Sequence, residues 1–260
     1  TYTQGITKFT HMTHAEFEAY ATSGKPKGSR SPELDAIDRR MPVFEAPAVQ
    51  GDLDRKLLEV DLPTIKDWRT VKGVVTPVKD QGQCGSCWSF STTGALEGAY
   101  FVKHGSLVSF SEEQLVDCDN WKHGGHDHGC NGGLMDNAFK WINGNGGLCS
   151  EFDYPYVSQN GPTKEECQTE CQLVKGSQVM DFVDVPPSSD EEMMNAVALN
   201  PVSIAIEADQ REFQLYSSGV FVGECGTNLD HGVLTVGYGT ENGEDYYLVK
   251  NSWSSSWGEN

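Results

Sequence analysis

The chain has 260 residues, 8 cysteines and a net charge of −19. So acidic a surface repels nucleic acid and anionic membranes, and no apolar run reaches the ~18 residues that a membrane span needs. The length allows two domains, or one domain with an added segment, and the cysteine content points to an oxidising compartment.

Residues 1–60 differ from the rest. They carry 8 basic and 9 acidic side chains, against 11 and 29 in 61–260, so nearly all the net charge belongs to the second part. Phe9, Met12, Ala15, Phe17 and Tyr20 mark a short helical stretch. A polar run from Ser23 to Pro32 then has linker composition. Further on, Gln81-Gly-Gln-Cys-Gly-Ser is a polar, Gly-rich turn that gives way at Cys87 to a helical pattern. Ala95, Leu96, Ala99, Tyr100 and Lys103 continue it until Gly105. Ser111 with Gln114 forms a capping box that opens a second helix. Leu134, Ala138 and Trp141, beside Met135, Phe139 and Ile142, predict a third, ending at Asn143-Gly144. After residue 173 the pattern turns to strands at 202–207, 232–239 and 245–253, short, β-branched or aromatic, and broken by Gly and Asn. One helix interrupts them, with Ser189 and Glu192 as its capping box and Asn200-Pro201 as its stop. Helices first and strands afterwards predict an α+β fold of two lobes, 62–173 and 174–260, with a cleft between them.

A thiol in the first turn of a helix feels the positive end of the macrodipole, which favours the nucleophilic thiolate. His231 follows Cys87 by 144 positions (231 − 87) and Asn251 follows by another 20 (251 − 231), both on predicted strands. Cys87 is the candidate nucleophile.

QGQCGSCWSF, SEEQLVDC, GCNGGLMDNAF, DYPY, LDHGVL and KNSW occur in this order. With them the chain resembles the papain-like cysteine peptidases of the cathepsin L type, from about Leu62 to its last residue. The resemblance implies a two-lobed papain-like fold, with a helical lobe, a β-barrel-like lobe and the active site in the cleft. Within the cleft it implies His231 as the proton carrier, Asn251 as the residue that fixes the imidazole and Gln81 as the donor of an amide N–H to an oxyanion. It implies an endopeptidase that needs no cofactor and acts on proteins and peptides. Its partners would include cystatin-type inhibitors and its own pro-segment, as a monomer in a lysosomal, vacuolar or extracellular setting. GITKFTHMTHAEF resembles the later half of the inhibitory pro-segment, so residues 1–61 read as a partial one. Processing is expected between about Glu59 and Leu62.

By the same resemblance Gly133, with Gly132 beside it, pairs with an extended substrate. Leu134, Met135, Ala205, Leu229 and Gly232, with Asp230 adjoining, line an apolar pocket for the second residue before the scissile bond. Trp253 covers the His231–Asn251 bond. Cys84 pairs with Cys130, and Cys118, Cys149, Cys167 and Cys171 form two more bridges, Cys118 reaching Cys167 or Cys171. Cys225 then lacks its usual partner, so the chain reads as incomplete at its end, and it starts without a signal peptide. Ser254 stands where glycine is usual.

Other readings fit parts of the pattern. Cys84-Gly-Ser-Cys87 is formally a redox pair, although no thioredoxin-like βαβ unit precedes it. His123, His126, His128 and Cys130 crowd one loop, with Cys167 and Cys171 further on, but their loose spacing is weak as a zinc site, and no metal is expected. A relative without catalysis, acting as a binding protein, is the third.

Overall fold

The computed structural model describes residues 2–21, 62–163 and 166–259. The polar run at 23–32 and the chain from Glu59 to Asp61 lie outside them.

The N-terminal segment forms β1 (Tyr2–Gln4) and α1 (His14–Ala21). Thr13 and Glu16 exchange hydrogen bonds as a capping box, so α1 starts later than the apolar spacing suggests. Phe9 and Met12 lie before it in a turn held by the Met12 N–H to Phe9 C=O bond. After β2 (Lys66–Asp67) come three helices: α2 (Cys87–His104), α3 (Glu112–Cys118) and α4 (Met135–Asn145). Ser111 Oγ accepts from the Gln114 N–H at 2.9 Å, as its spacing predicts. Gly105 ends α2 in the left-handed region with its N–H on Phe101 C=O. α4 runs two residues past the predicted stop, because Gly146 rather than Gly144 supplies the left-handed cap. The three helices bury Trp88, Leu96, Leu115, Ala138 and Ile142 in one core.

The remaining elements are α5 (Asp190–Leu199), β3 (Val202–Ile206), α6 (Arg211–Gln214), β4 (Tyr216–Gly219), β5 (His231–Glu241) and β6 (Glu244–Lys250). β5 carries β3 and β2 end to end along one edge and β6 along the other, all antiparallel. Asn242 and Gly243, both at positive φ, form the two-residue turn between β5 and β6. The fold is mixed helix and sheet as expected, but the sheet is open: among the described residues its outer edges do not pair with each other, as barrel closure requires. Residues 66–68, read from sequence with the helical half, pack on this sheet, and Trp68 lies beside Val236 and Tyr238.

α2 is the joint between the halves, with every residue from Cys87 to Gly98 buried. A Cβ on Gly94 would lie 2.8 Å from Leu234 Cδ2, and one on Gly98 would lie 2.5 Å from Pro201 Cδ. These two glycines let the sheet approach the helix closely. β1 pairs with β4, which places the N-terminal segment on the sheet half.

Candidate active site

The residues before α2 are strapped from several sides. Gln81 N–H donates to Ser252 C=O at 2.9 Å, Asp80 bridges to Trp253, and the Cys84–Cys130 disulfide fixes the turn. Cys87 is therefore presented as the first residue of α2, where backbone N–H groups have no helical partner. Its thiol accepts from the Gly232 N–H, the residue next to His231 at the start of β5.

His231 is 2 % exposed, and its Nε2 lies 2.8 Å from Asn251 Oδ1. An amide oxygen only accepts, so Nε2 carries the proton. In the neutral ring Nδ1 is then a bare acceptor, buried without a hydrogen bond among the described residues. The Ser252 N–H also binds Asn251 Oδ1, at 2.7 Å, fixing the amide. Trp253 stacks on the imidazole at 4.6 Å between centroids and screens that bond from water.

Gln81 is 1 % exposed; its Nε2 donates to Cys84 C=O at 3.0 Å while its Oε1 accepts from Ser252 Oγ at 2.6 Å. A cavity behind this wall is lined by Lys79, Glu97, Glu112 and Lys250 with Gly232 and Asn251. Lys79 Nζ binds Glu97 at 2.9 Å and also binds Glu112.

The N-terminal segment packs against Trp253 and Asp80 at the edge of the site. Phe9 and Phe17 meet Trp253 edge-on at 5.2 and 5.6 Å, and Lys8 Nζ reaches Asp80 at 2.7 Å and Tyr20 Oη at 3.2 Å. Burial pushes the Cys87 thiol up; the N–H groups of Gly232, Trp88 and Cys87 itself oppose this only in part, and Asp230 adds to it. Burial likewise pulls His231 down to about 4, against the Asn251 hydrogen bond. With both groups buried, the neutral thiol and neutral imidazole are favoured, and the thiolate anticipated from the helix dipole is not.

The family model described as "Papain family cysteine protease" matches residues 62–260. The chain belongs to the papain family of cysteine proteases.

Among curated papain-family proteins it is 44% identical over 259 residues to "Probable cysteine protease RD21C" of Arabidopsis thaliana, covering 100% of this chain and 52% of that protein. It is 48% identical over 229 residues to "Cysteine proteinase EP-B 1" of Hordeum vulgare, covering 85% and 58%. The chain thus spans about half the length of the curated relatives it matches. Among solved structures it is similar to the Amb a 11 ragweed pollen cysteine protease in its proform, with TM-score 0.79 and 38% identity over 99% of this chain and 73% of that one. It is also similar to the bromelain protease of Ananas comosus in complex with the E64 inhibitor, with TM-score 0.68 and 39% identity over 76% and 86%.

In this papain-family chain Cys87, His231, Asn251 and Gln81 are gathered at one junction of the two halves. Of the expected pocket, Ala205 pairs in register with Gly232, and Met135 Sδ lies 3.2 Å from where a Cβ on Gly232 would stand. Leu134 and Leu229 are exposed, and Asp230 Oδ1 accepts from the Ala208 N–H at 2.8 Å. A Cβ on Gly133 would strike the Trp88 ring at 2.6 Å, so only glycine fits there, while Gly132 holds φ 103°.

The disulfides are Cys84–Cys130, Cys118–Cys167 and Cys149–Cys171, which resolves the choice left open for Cys118; Cys87 and Cys225 are free. The redox reading of Cys84 with Cys87 is thereby corrected, since Cys84 is committed to a partner on the neighbouring loop. The three cysteines of the zinc reading are all bridged too, and among the described residues no group of three or more ligating side chains is gathered for a metal.

Ser252 and Tyr156 lie within the KNSW and DYPY motifs, but the sequence assigned neither a role. Tyr156 Oη donates to Gln81 C=O at 2.8 Å. Their contacts with Gln81 span 171 and 75 positions, and no local signal links such distant residues.

Proposed function

We propose that this chain is a cysteine endopeptidase made as a zymogen, its N-terminal residues to about position 61 acting as the inhibitory segment. The observation that carries the reading is the arrangement of Cys87 at the start of α2 against the Gly232 N–H, with His231 bound to Asn251 beneath Trp253. Once the segment leaves, water reaches the site and the opposed thiolate and imidazolium become the favoured pair. Cys87 Sγ attacks the scissile carbonyl, and its oxyanion is met by the Gln81 amide and the Cys87 N–H. His231 passes its proton to the leaving amine, and water then releases the acyl-enzyme.

Met135, Ala205 and Gly232 stand together beside Cys87, with Leu134 and Leu229 in sequence next to them, and the site takes a bulky hydrophobic residue two positions before the scissile bond. Extended substrate pairs with the Gly132–Gly133 backbone as an added strand. Other partners are cystatin-type inhibitors, which fit the same cleft; the protein acts as a monomer in a vacuolar, lysosomal or extracellular compartment, to which three disulfides are suited. Replacing Cys87→Ala abolishes peptide hydrolysis while leaving the unfolding midpoint near that of the parent. Hydrolysis by a Cys87→Ala protein of verified mass sinks the mechanism.

A further inference from the structure

The loop between α3 and α4 buries two carboxyls that the catalytic reading does not use. Asp119 is 0 % and Asp127 2 % exposed, and among the described residues neither is paired with a lysine or arginine. Each has one oxygen engaged by N–H donors: Asp119 Oδ1 by His126 N–H at 3.2 Å, and Asp127 Oδ1 by Leu134 N–H at 3.0 Å and Asn137 Nδ2 at 3.1 Å. Each Oδ2 is buried and finds no such donor among the described residues. The two carboxyls instead face each other closely enough to interact directly. Two carboxylates offer only acceptors, so a hydrogen bond between them needs one proton.

Asp127 is also where the loop meets the segment read above as the substrate-binding wall. Its N–H partner is Leu134, and its Cγ lies 2.7 Å from where a Cβ on Gly133 would stand, with the Trp88 ring on the same side. His128 N–H closes the loop onto Gly132 C=O at 3.0 Å, and Trp88 Nε1 onto Gly129 C=O at 3.2 Å. The shape of Gly132–Leu134 is thus set from behind by the carboxyl of Asp127.

We propose that Asp119 and Asp127 share a single proton, and that this proton is a structural part of the wall that receives substrate, making both aspartates positioning residues. The proposal rests on the assignment of Gly132–Leu134 to that wall. Losing the proton leaves two buried like charges in one hydrogen-bond site, and the loop must open to hydrate them. The groups facing the pair are the His126 ring and N–H on the loop, the Asp127 N–H, and Asn137 on α4. Burial and the neighbouring Asp119 push Asp127 up to about 8, so the pair, titrating as a unit, opens as pH rises past that value.

The test uses amide hydrogen exchange at Leu134 in the Cys87→Ala chain between pH 6 and 10, read as protection relative to the free amide. Protection should be level below about pH 8 and fall about tenfold per pH unit above it, as opening linked to loss of one proton requires. In Asp127→Asn the amide supplies the missing donor to Asp119 without a titratable proton, and protection should stay level throughout. Asp119→Asn should do the same, and serves if the first variant folds poorly. A parallel fall in either variant, or level protection to pH 10 in the parent, overturns the shared proton. The second readout is KM against kcat for a peptide with a bulky hydrophobic residue at the second position before cleavage, in the processed protein. KM should climb about tenfold per unit above pH 8 and lose that dependence in Asp127→Asn. If protection falls while KM stays level, the wall assignment fails and the proton pair stands.

Discussion

In the half built on α2, α3 and α4, three disulfides join the loops, and Lys79 lies between the buried carboxylates of Glu97 and Glu112. The Thr76 hydroxyl satisfies the other oxygen of Glu97, and the Thr93 hydroxyl shares Glu112 Oε1 with Lys79, at 2.6 Å each. In the half built on β5, no disulfide occurs among the described residues, and the aromatic cluster of Phe213, Trp253 and Trp257 is completed by Phe9 and Phe17 of the N-terminal segment. The helical half supplies its own cover and, for Glu97 and Glu112, its own cation. The sheet half, which carries His231 and Asn251, draws its cover from a segment some 200 positions away, so its state depends on whether that segment is docked.

The largest effect should come from breaking the internal pairing of the helical half. Lys79→Met keeps the stem but leaves Glu97 and Glu112 without their cation, at an expected cost of about 3–5 kcal/mol in denaturant unfolding. An unchanged midpoint would mean that this half does not rely on its ion cluster. Next is the pH response of the sheet half. His231 is held at about 4, below its ordinary 6.5, so the unfolded or uncovered state binds the proton more readily. The stabilisation from burying the neutral ring is complete above about pH 6.5 and is lost as pH falls through that value toward 4. Unfolding of the Cys87→Ala chain should therefore grow easier between pH 6.5 and 4, by more than in the same chain carrying His231→Gln. Equal slopes for the two proteins count against a neutral imidazole under the segment. The smallest change concerns Ser254, held at φ 64° with its N–H on Lys79 C=O. Ser254→Gly should stabilise the protein by about 1 kcal/mol, since glycine adopts that conformation without a side-chain penalty. A loss of stability would show that the Ser254 hydroxyl, which binds Ser256, outweighs the strain.

Much of this was legible in the sequence because it depends on short-range chemistry. The caps at Ser111 and Ser189, the stop at Gly105 and the strands at 202–207 and 232–239 all follow from residues within a few positions of one another. The four expected site residues rest on another footing: their motifs resemble those of a known family. What lay out of reach were pairings between distant polar groups. Ser252 on Gln81, Lys79 between two glutamates, and Asp119 against Asp127 leave no periodic trace.

The sequence by itself determined where α2, α3 and α5 begin, where β3 and β5 run, and which cysteine stands at a helix start, since propensity, capping and period act locally. The tertiary structure alone decided which charges meet, which cysteines pair among Cys118, Cys149, Cys167 and Cys171, and whether the thiol and imidazole are charged or neutral. Those outcomes depend on burial and on the identity of the nearest group in space, and both are set only when separate stretches of chain are packed together.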